Sequence, residues 1–160
     1  MKQYLTTWRC SALIGPAACM IGVVLTCVTA GAGGQAVNPI SVWSGVYTAA
    51  QNKRGEEIHA SVCVMCHGHQ LNGAGQPEMP PSPAIARGNL LRKWSGSNVA
   101  ALFYYVRQTM PPDAPGTLTD QQAADAIAHM FAVTGMPAGV RELSADPKAL
   151  ANIVIEAQPK

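Results

Sequence analysis

Two cysteines and a histidine stand close together in the segment Cys63-Val64-Met65-Cys66-His67. At this spacing both thiols can add across the vinyl groups of one porphyrin, and the adjacent imidazole can bind the iron at its centre. The motif therefore predicts one covalently attached haem c, held by Cys63 and Cys66, with His67 as an iron ligand.

Three other kinds of site also use a CxxC pair. A zinc site needs four ligands, usually from two such pairs, and the chain has one pair and scattered histidines. A thioredoxin-like redox pair follows a strand in an α/β pattern, and no such strand is predicted here. A structural disulfide is the third alternative. The histidine that directly follows Cys66 favours haem over all three.

The first 36 residues differ in kind from the rest of the chain. Lys2 and Arg9 precede an apolar run over residues 10–30, and small residues follow that run. This order is typical of a secretory signal peptide, but the run is also just long enough to span a bilayer as an uncleaved anchor. Both alternatives deliver the remaining chain outside the cytoplasm. We expect a periplasmic protein that contacts the membrane only if the leader is retained.

The leader also accounts for most of the cysteines and for the net charge. Three of the five cysteines lie within it, so no other thiol of the exported part competes with haem for the CxxC pair. Of 11 basic residues, Lys2 and Arg9 belong to the leader, and the remaining nine balance nine acidic residues. With no basic run in the exported part, we expect no nucleic-acid partner.

A helix is predicted directly before the motif. Thr48 and Gln51 fit a capping box, and the helix that they open runs to about Val62. The following segment, 68–83, carries glycines and prolines that exclude regular structure. A loop of this length in a compact domain needs a ligand to order it, and a bound haem would be such a ligand.

Two further helices are predicted, one at 98–109 and one from Thr119 to about Val133. The second is opened by another capping box, which Gln122 completes. Residues 84–96 predict only a short helical turn. No segment shows the strict alternation that a strand needs, so the predicted fold class is all-α.

The iron of a haem has a second axial position. The apolar stripe of the helix at 98–109 reaches Met110 when continued by one turn, and two prolines follow. We therefore expect Met110 to be the second iron ligand, with Met79 in the preceding loop as the alternative. Histidine and methionine together raise the reduction potential and close the iron to substrates, so they predict an electron carrier and not an enzyme.

Several segments carry a family resemblance. They are Ser-Val-Trp-Ser-Gly-Val-Tyr-Thr at 41–48, Cys-Val-Met-Cys-His-Gly at 63–68, Thr-Met-Pro at 109–111 and Gly-Met-Pro-Ala-Gly at 135–139. In these segments and around them, over residues 41 to about 155, the chain resembles class I c-type cytochromes. Within that family it is similar to the small monohaem cytochromes associated with periplasmic quinoprotein (PQQ) dehydrogenases.

The resemblance implies an architecture. It implies an all-α class I cytochrome c fold, in which the N- and C-terminal helices cross and one covalently bound haem is enclosed, preceded by a signal or anchor helix. We expect a signal peptide or uncleaved anchor at 1–36, an extended lead-in at 37–48, the monohaem domain at 49–140, and a C-terminal tail at 141–160 packed on that domain.

The resemblance implies the same haem and iron ligands and adds three roles. Pro83 would offer its carbonyl to the other ring nitrogen of His67, and Trp94 would lie beside the haem propionates. Gly55 would let the first and last helices cross closely, because it has no side chain at the contact.

The sequence departs from the family pattern at two positions. His59 and His129 stand where family members usually carry aromatic residues that meet at the helix crossing. We expect the two imidazoles to lie near each other, either as flat packing groups or as a pH-sensitive contact.

The implied function is periplasmic one-electron transfer. The donor would be a quinoprotein or similar dehydrogenase, and the acceptor an oxidase or another cytochrome. One alternative is a tightly bound haem c subunit of a dehydrogenase or of a sulfur-compound oxidoreductase. Another is a sensor or peroxidase-like haem domain with a labile second ligand.

Overall fold

The computed structural model of the protein describes residues 38–74, 77–79 and 82–160. The signal or anchor helix predicted at 1–36 lies outside these residues. In the described part, no helix combines the length and apolar character needed to cross a bilayer.

The described chain is mostly helical, as the sequence predicts. Its elements in chain order are β1 (Ile40–Ser41), α1 (Ala49–Ile58), α2 (Val64–His67), α3 (Arg87–Trp94), α4 (Val99–Thr109), α5 (Asp120–Thr134), α6 (Pro147–Leu150) and β2 (Ile153–Val154). A 3-10 turn at Val42–Ser44 and a π-helical segment at His59–Cys63 complete the order.

The helix before the motif continues through it. Its α-helical part ends at Ile58, and in the π-helical segment that follows, the Val64 backbone N–H bonds to the carbonyl of His59. The chain then returns to α-helix in α2, which contains Cys66 and His67. The predicted helix end near Val62 is therefore too early. A π turn holds an extra residue, which changes the rotational position of the motif relative to α1.

Half of the first predicted capping box is present. The Thr48 hydroxyl accepts a hydrogen bond from the backbone N–H of Gln51 at 3.1 Å. The other predicted bond, from the Thr48 N–H to the Gln51 side chain, is wrong. The Gln51 side chain is buried and bonds to the backbone of Leu143 instead. There its Nε2 donates to the carbonyl at 2.9 Å and its Oε1 accepts from the N–H at 2.7 Å. Gln51 thus ties α1 to the C-terminal tail.

The second capping box is complete. The Thr119 hydroxyl accepts from the Gln122 N–H, and the Gln122 side chain accepts from the Thr119 N–H at 2.8 Å. The helix ends at Gly135, whose φ of 93° favours glycine. The predicted bounds of α5 are thus confirmed to within about a residue.

α1 and α5 pack closely against each other at Gly55. A Cβ atom built there would collide with the Asp125 carbonyl and would come within 2.8 Å of the His129 Cβ. Glycine is therefore required by contact with the facing backbone, as the resemblance implies.

An ion-pair network reinforces the same contact. The Arg54 Nε donates to the Asp125 carboxylate at 2.8 Å, and its Nη2 donates to Glu142 at 2.9 Å. The Asp125 side chain is only 4% exposed. Burial by itself would raise the pKa of this carboxyl, but hydrogen bonds from Arg54, Gln121 and Gln51 hold the pKa below its usual value.

The lead-in is more structured than the extended segment expected from the sequence. Ile40 of β1 pairs in parallel with Ile153 of β2, and Val42 is fully buried. The Tyr47 hydroxyl donates to the carbonyl of Met136 at 2.6 Å. The strands were not predicted because two residues are too few for alternation to appear.

Candidate haem site

Two adjoining cavities lie beside the CxxCH segment. One has a volume of about 60 Å³ and the other about 240 Å³. We call the two together the slot, because they share the lining residues Cys66, His67, Ile85, Val106, Met110, Pro112 and Met130. The slot is thus bounded by α2, α4, α5 and the proline-rich segment after α4.

The lining of the slot is mostly apolar. The smaller cavity adds aliphatic side chains that include Val62, Leu71 and Leu118. An apolar lining accepts a flat hydrophobic ring system and keeps water away from it. Polar side chains are confined to a few places on the walls.

Both thiols of the motif face the slot. Cys63 lines the smaller cavity, Cys66 lines both cavities, and neither is joined in a disulfide. Burial raises the pKa of the Cys63 thiol to about 11, and the neighbouring Cys66 adds to this shift. Cys63 is therefore a neutral thiol at pH 7, unlike a reactive thiolate. Among 38–74, 77–79 and 82–160, no three His, Cys, Asp or Glu side chains are grouped as they would be to hold a metal ion.

The ring of His67 is oriented by a backbone carbonyl. Its Nδ1 lies 2.8 Å from the carbonyl oxygen of Pro83. Because a carbonyl only accepts, Nδ1 carries a proton and donates it, and in the neutral ring this leaves the lone pair on Nε2. His67 is buried and lines both cavities, so Nε2 is the ring nitrogen that can bind a ligand in the slot.

Three methionines, Met79, Met110 and Met130, differ in their position relative to the slot. Met110 caps the C-terminus of α4 and lines both cavities. Met79 is 36% exposed and is absent from the described residues that line the slot. Met130 of α5 is buried and also lines both cavities.

Trp94 lines the larger cavity, together with residues that the sequence did not single out. Its ring meets Tyr105 edge to face, with 5.6 Å between centroids. The Lys93 Nζ lies 4.3 Å from the Tyr105 ring centroid. Tyr105 directly precedes Val106, which belongs to the apolar stripe of α4. This position beside the stripe is the only sequence signal that could have placed Tyr105 at the slot.

His59 and His129 lie together, as expected. Their ring centroids are 5.3 Å apart, both side chains are buried, and both line the smaller cavity. The His129 Nδ1 is 2.9 Å from the Asn52 Oδ1, whereas the His59 Nε2 has no hydrogen-bond partner among the described residues. Burial lowers the pKa of both imidazoles, and the charge of His129 lowers that of His59 further.

The residues present fit a covalently bound haem. Two thiols, one neutral imidazole with a free nitrogen and one thioether share a slot that is otherwise mainly apolar. Sulfur and imidazole are the axial ligands that haem iron takes in proteins of this kind. His59, which lines the smaller cavity, has a buried Nε2 with no hydrogen-bond partner in the part of the chain that the structure describes.

Comparisons with known proteins agree with this chemistry. A family model described as "Cytochrome C oxidase, cbb3-type, subunit III" matches residues 50–130, a range that contains the CxxCH segment and Met110. No curated protein matches the chain.

Among solved structures, the chain is similar to the crystal structure of the sulfane dehydrogenase SoxCD from Paracoccus pantotrophus. The sequence identity is 17% and the TM-score is 0.43. The match covers 75% of this chain and 61% of that chain, so the present chain spans less than two thirds of the SoxCD chain.

The family model covers just over half of the 160 residues, and the described residues form the mostly helical domain that it requires. The chain therefore belongs to this family of cytochrome c domains, the cbb3-type subunit III family, whose members transfer electrons through covalently attached haem c.

Proposed function

We propose that the protein is a one-electron carrier with a single haem c, bound through Cys63 and Cys66 and ligated by His67 and Met110. The observation that carries this proposal is the hydrogen bond of the His67 Nδ1 to Pro83, since it leaves Nε2 free in the slot that Met110 also lines. When bound, the haem supplies one-electron oxidation and reduction at its iron.

The residues of the chain set the conditions for that chemistry. The Pro83 carbonyl fixes the tautomer and orientation of the His67 ring. The Met110 thioether is soft and neutral, so it favours ferrous iron and raises the reduction potential. The apolar walls exclude water from the site, and this exclusion also raises the reduction potential. With His67 and Met110 both bound to the iron, no position on it would be left for a substrate.

The finer biological setting is also proposed. We infer export to the periplasm through the leader at 1–36, and a monohaem domain at 49–140 with the lead-in and tail packed on it. Redox proteins would be the partners, with a quinoprotein or similar dehydrogenase as donor and an oxidase or another cytochrome as acceptor. Such complexes are usually small and transient.

A second candidate keeps the haem and changes the assembly. The family description names an oxidase subunit, which favours a haem c subunit that stays bound to a larger enzyme. A dehydrogenase or a sulfur-compound oxidoreductase would be such an enzyme. Gel filtration of the protein from its native membrane or periplasmic fraction separates the alternatives, because a subunit elutes with its enzyme and a shuttle elutes alone.

The test of the electron-carrier proposal is a matched pair of methionine variants. We expect Met110→Leu, a substitution of similar volume, to abolish the far-red methionine-to-iron absorption band of the oxidised protein and to admit carbon monoxide to the reduced iron. Met79→Leu is the control and should retain the band. Loss of the band in Met79→Leu with its retention in Met110→Leu would reverse the assignment, and rapid carbon monoxide binding by the wild type would favour a sensor or peroxidase-like domain.

A further inference from the structure

Gly73 connects the backbone of His67 to the backbone around Pro83. Its N–H donates to the carbonyl oxygen of His67 at 2.9 Å. Its Cα packs against the backbone of residues 82–84, the segment that contains Pro83. The Pro83 carbonyl in turn accepts the hydrogen bond of the His67 Nδ1 at 2.8 Å. Gly73 therefore completes a closed series of contacts that begins and ends at His67.

No side chain fits at position 73. A Cβ atom built there would lie 2.5 Å from the Ser82 carbonyl oxygen, 3.0 Å from the Ala84 nitrogen and 3.2 Å from the Pro83 carbonyl carbon. All three are backbone atoms, so the collision cannot be relieved by rotating a side chain. The φ of Gly73 is 80°, which also favours glycine.

The same loop is held at a second point. The Leu71 N–H donates to the Gly68 carbonyl at 3.1 Å, and the Leu71 carbonyl accepts from the Ile85 N–H at 2.9 Å. The Leu71 side chain is buried. These bonds join the start of the loop to the residues that follow Pro83. A collision at position 73 would therefore be relieved within residues 82–84 or at the bond to the His67 carbonyl.

We propose that Gly73 is a positioning residue for the iron ligand His67. Because it has no side chain, the Pro83 carbonyl can approach the His67 Nδ1 at hydrogen-bonding distance. Gly73 acts through Pro83 and sets how strongly the imidazole donates electrons to the iron. The inference rests on the haem site proposed above.

The direction of the effect follows from the hydrogen bond. The Nδ1–H is a stronger donor when the iron is oxidised, because the additional positive charge draws electron density from the imidazole. The bond to Pro83 therefore stabilises the oxidised state more than the reduced state. At 2.8 Å the bond is at a favourable length, so displacing the carbonyl weakens it. A weaker bond raises the reduction potential.

The test is a redox titration at pH 7 of the holoprotein and two variants. We expect Gly73→Ala to raise the midpoint potential, so that the ratio of reduced to oxidised protein at a fixed potential rises roughly threefold to tenfold. The far-red methionine-to-iron band should remain, because Met110 is unchanged.

Gly135→Ala is the matched control. The φ of Gly135 is 93°, so alanine carries a similar backbone strain there. A Cβ atom at this position would meet nothing within 4 Å, and Gly135 is not among the described residues that line the slot. Its midpoint potential should stay near that of the wild type.

The packing can also be measured in the reduced wild-type holoprotein by nuclear magnetic resonance. We expect a nuclear Overhauser contact between a Gly73 Hα and the Ala84 amide proton, because the Cβ position of residue 73 faces that nitrogen. The Gly73 amide should exchange with solvent at least about tenfold more slowly than an unprotected peptide, because it bonds to His67.

The outcomes separate the role of Gly73 from the haem site. Equal potentials in Gly73→Ala and Gly135→Ala would overturn that role and leave the haem site intact. Absence of the Gly73 to Ala84 contact in the wild type would overturn it whether or not Gly73→Ala folds. Loss of haem from Gly73→Ala, with retention in Gly135→Ala, would support it. A wild-type protein whose mass includes no haem would overturn both proposals together.

Discussion

The hydrogen bond between His67 and Pro83 determines which imidazole nitrogen is available in the slot. The sequence placed Cys63, Cys66 and His67 by spacing alone, since a covalent motif is local in the chain. It placed Pro83 only through the family resemblance, because the loop between 68 and 83 has no periodicity from which its path could be derived. The structure puts that carbonyl 2.8 Å from Nδ1.

The buried side chains of His59 and His129 should make the stability of the protein depend on pH. Burial lowers the pKa of His59 and of His129 below 6.5, so below that pH the unfolded chain binds protons that the folded protein does not. Stability should therefore fall as the pH is lowered from 7.5 through 6.5. We expect the melting temperature of the holoprotein to decrease over this range, and the double variant H59F/H129F to show a smaller decrease.

The exposed His69 provides the matched control for this pair. A His69→Gln variant should keep the pH dependence of the wild type, because its ring is not buried. An identical slope in wild type and H59F/H129F would show that the pair acts only as flat packing groups.

The positions of Lys93 and Tyr105 on the slot wall were not predicted from the sequence. Neither belongs to a motif, and Tyr105 lies beside the apolar stripe that led to Met110. Their approach to one another depends on how α3 packs against α4, and that packing is not encoded in the spacing of either helix. Which polar residues line the slot can be identified only once the packing that forms the slot is known.

At the scale of elements, the contact of α1 with α5 depends on one glycine. The Cβ of alanine at position 55 would overlap the Asp125 carbonyl, so the two helices would have to separate. We expect Gly55→Ala to lower the free energy of unfolding by about 3 kcal/mol, measured by chemical denaturation of the holoprotein.

Gly88 in α3 is the control for that substitution. A Cβ atom there would meet nothing within 4 Å, and its φ is not positive. Gly88→Ala should leave stability unchanged or raise it by up to about 1 kcal/mol. Equal effects of the two substitutions would show that α1 and α5 do not require the close approach.

The helices were predictable to different degrees for identifiable reasons. α4 and α5 follow from an apolar stripe and a complete capping box, signals that lie within each helix. The run from α1 into α2 was predicted to stop too early because the π-helical segment at His59–Cys63 breaks the 3.6-residue period without ending the helix. The length of α3 was underestimated because its apolar positions are few.

At the scale of the whole domain, both ends of the described chain close on each other. β1 pairs with β2, Gln51 binds the backbone of Leu143, and Arg54 joins α1 to Asp125 and Glu142. These contacts link residues far apart in sequence, so no local pattern could show them. They hold α1 against α5. The π-helical segment that continues α1 carries His59, and α5 carries His129, both of which line the smaller cavity.

The proposed function depends first on Cys63 and Cys66 holding one haem covalently. The most direct measurement is the intact mass, under denaturing and reducing conditions, of the full chain expressed in cells that attach haem c. We expect the mass of the exported polypeptide, with or without residues 1–36, plus one haem, because thioether bonds survive both treatments. In Cys63→Ala/Cys66→Ala that increment should be absent. A wild-type mass equal to that of the polypeptide alone would show that neither cysteine carries haem.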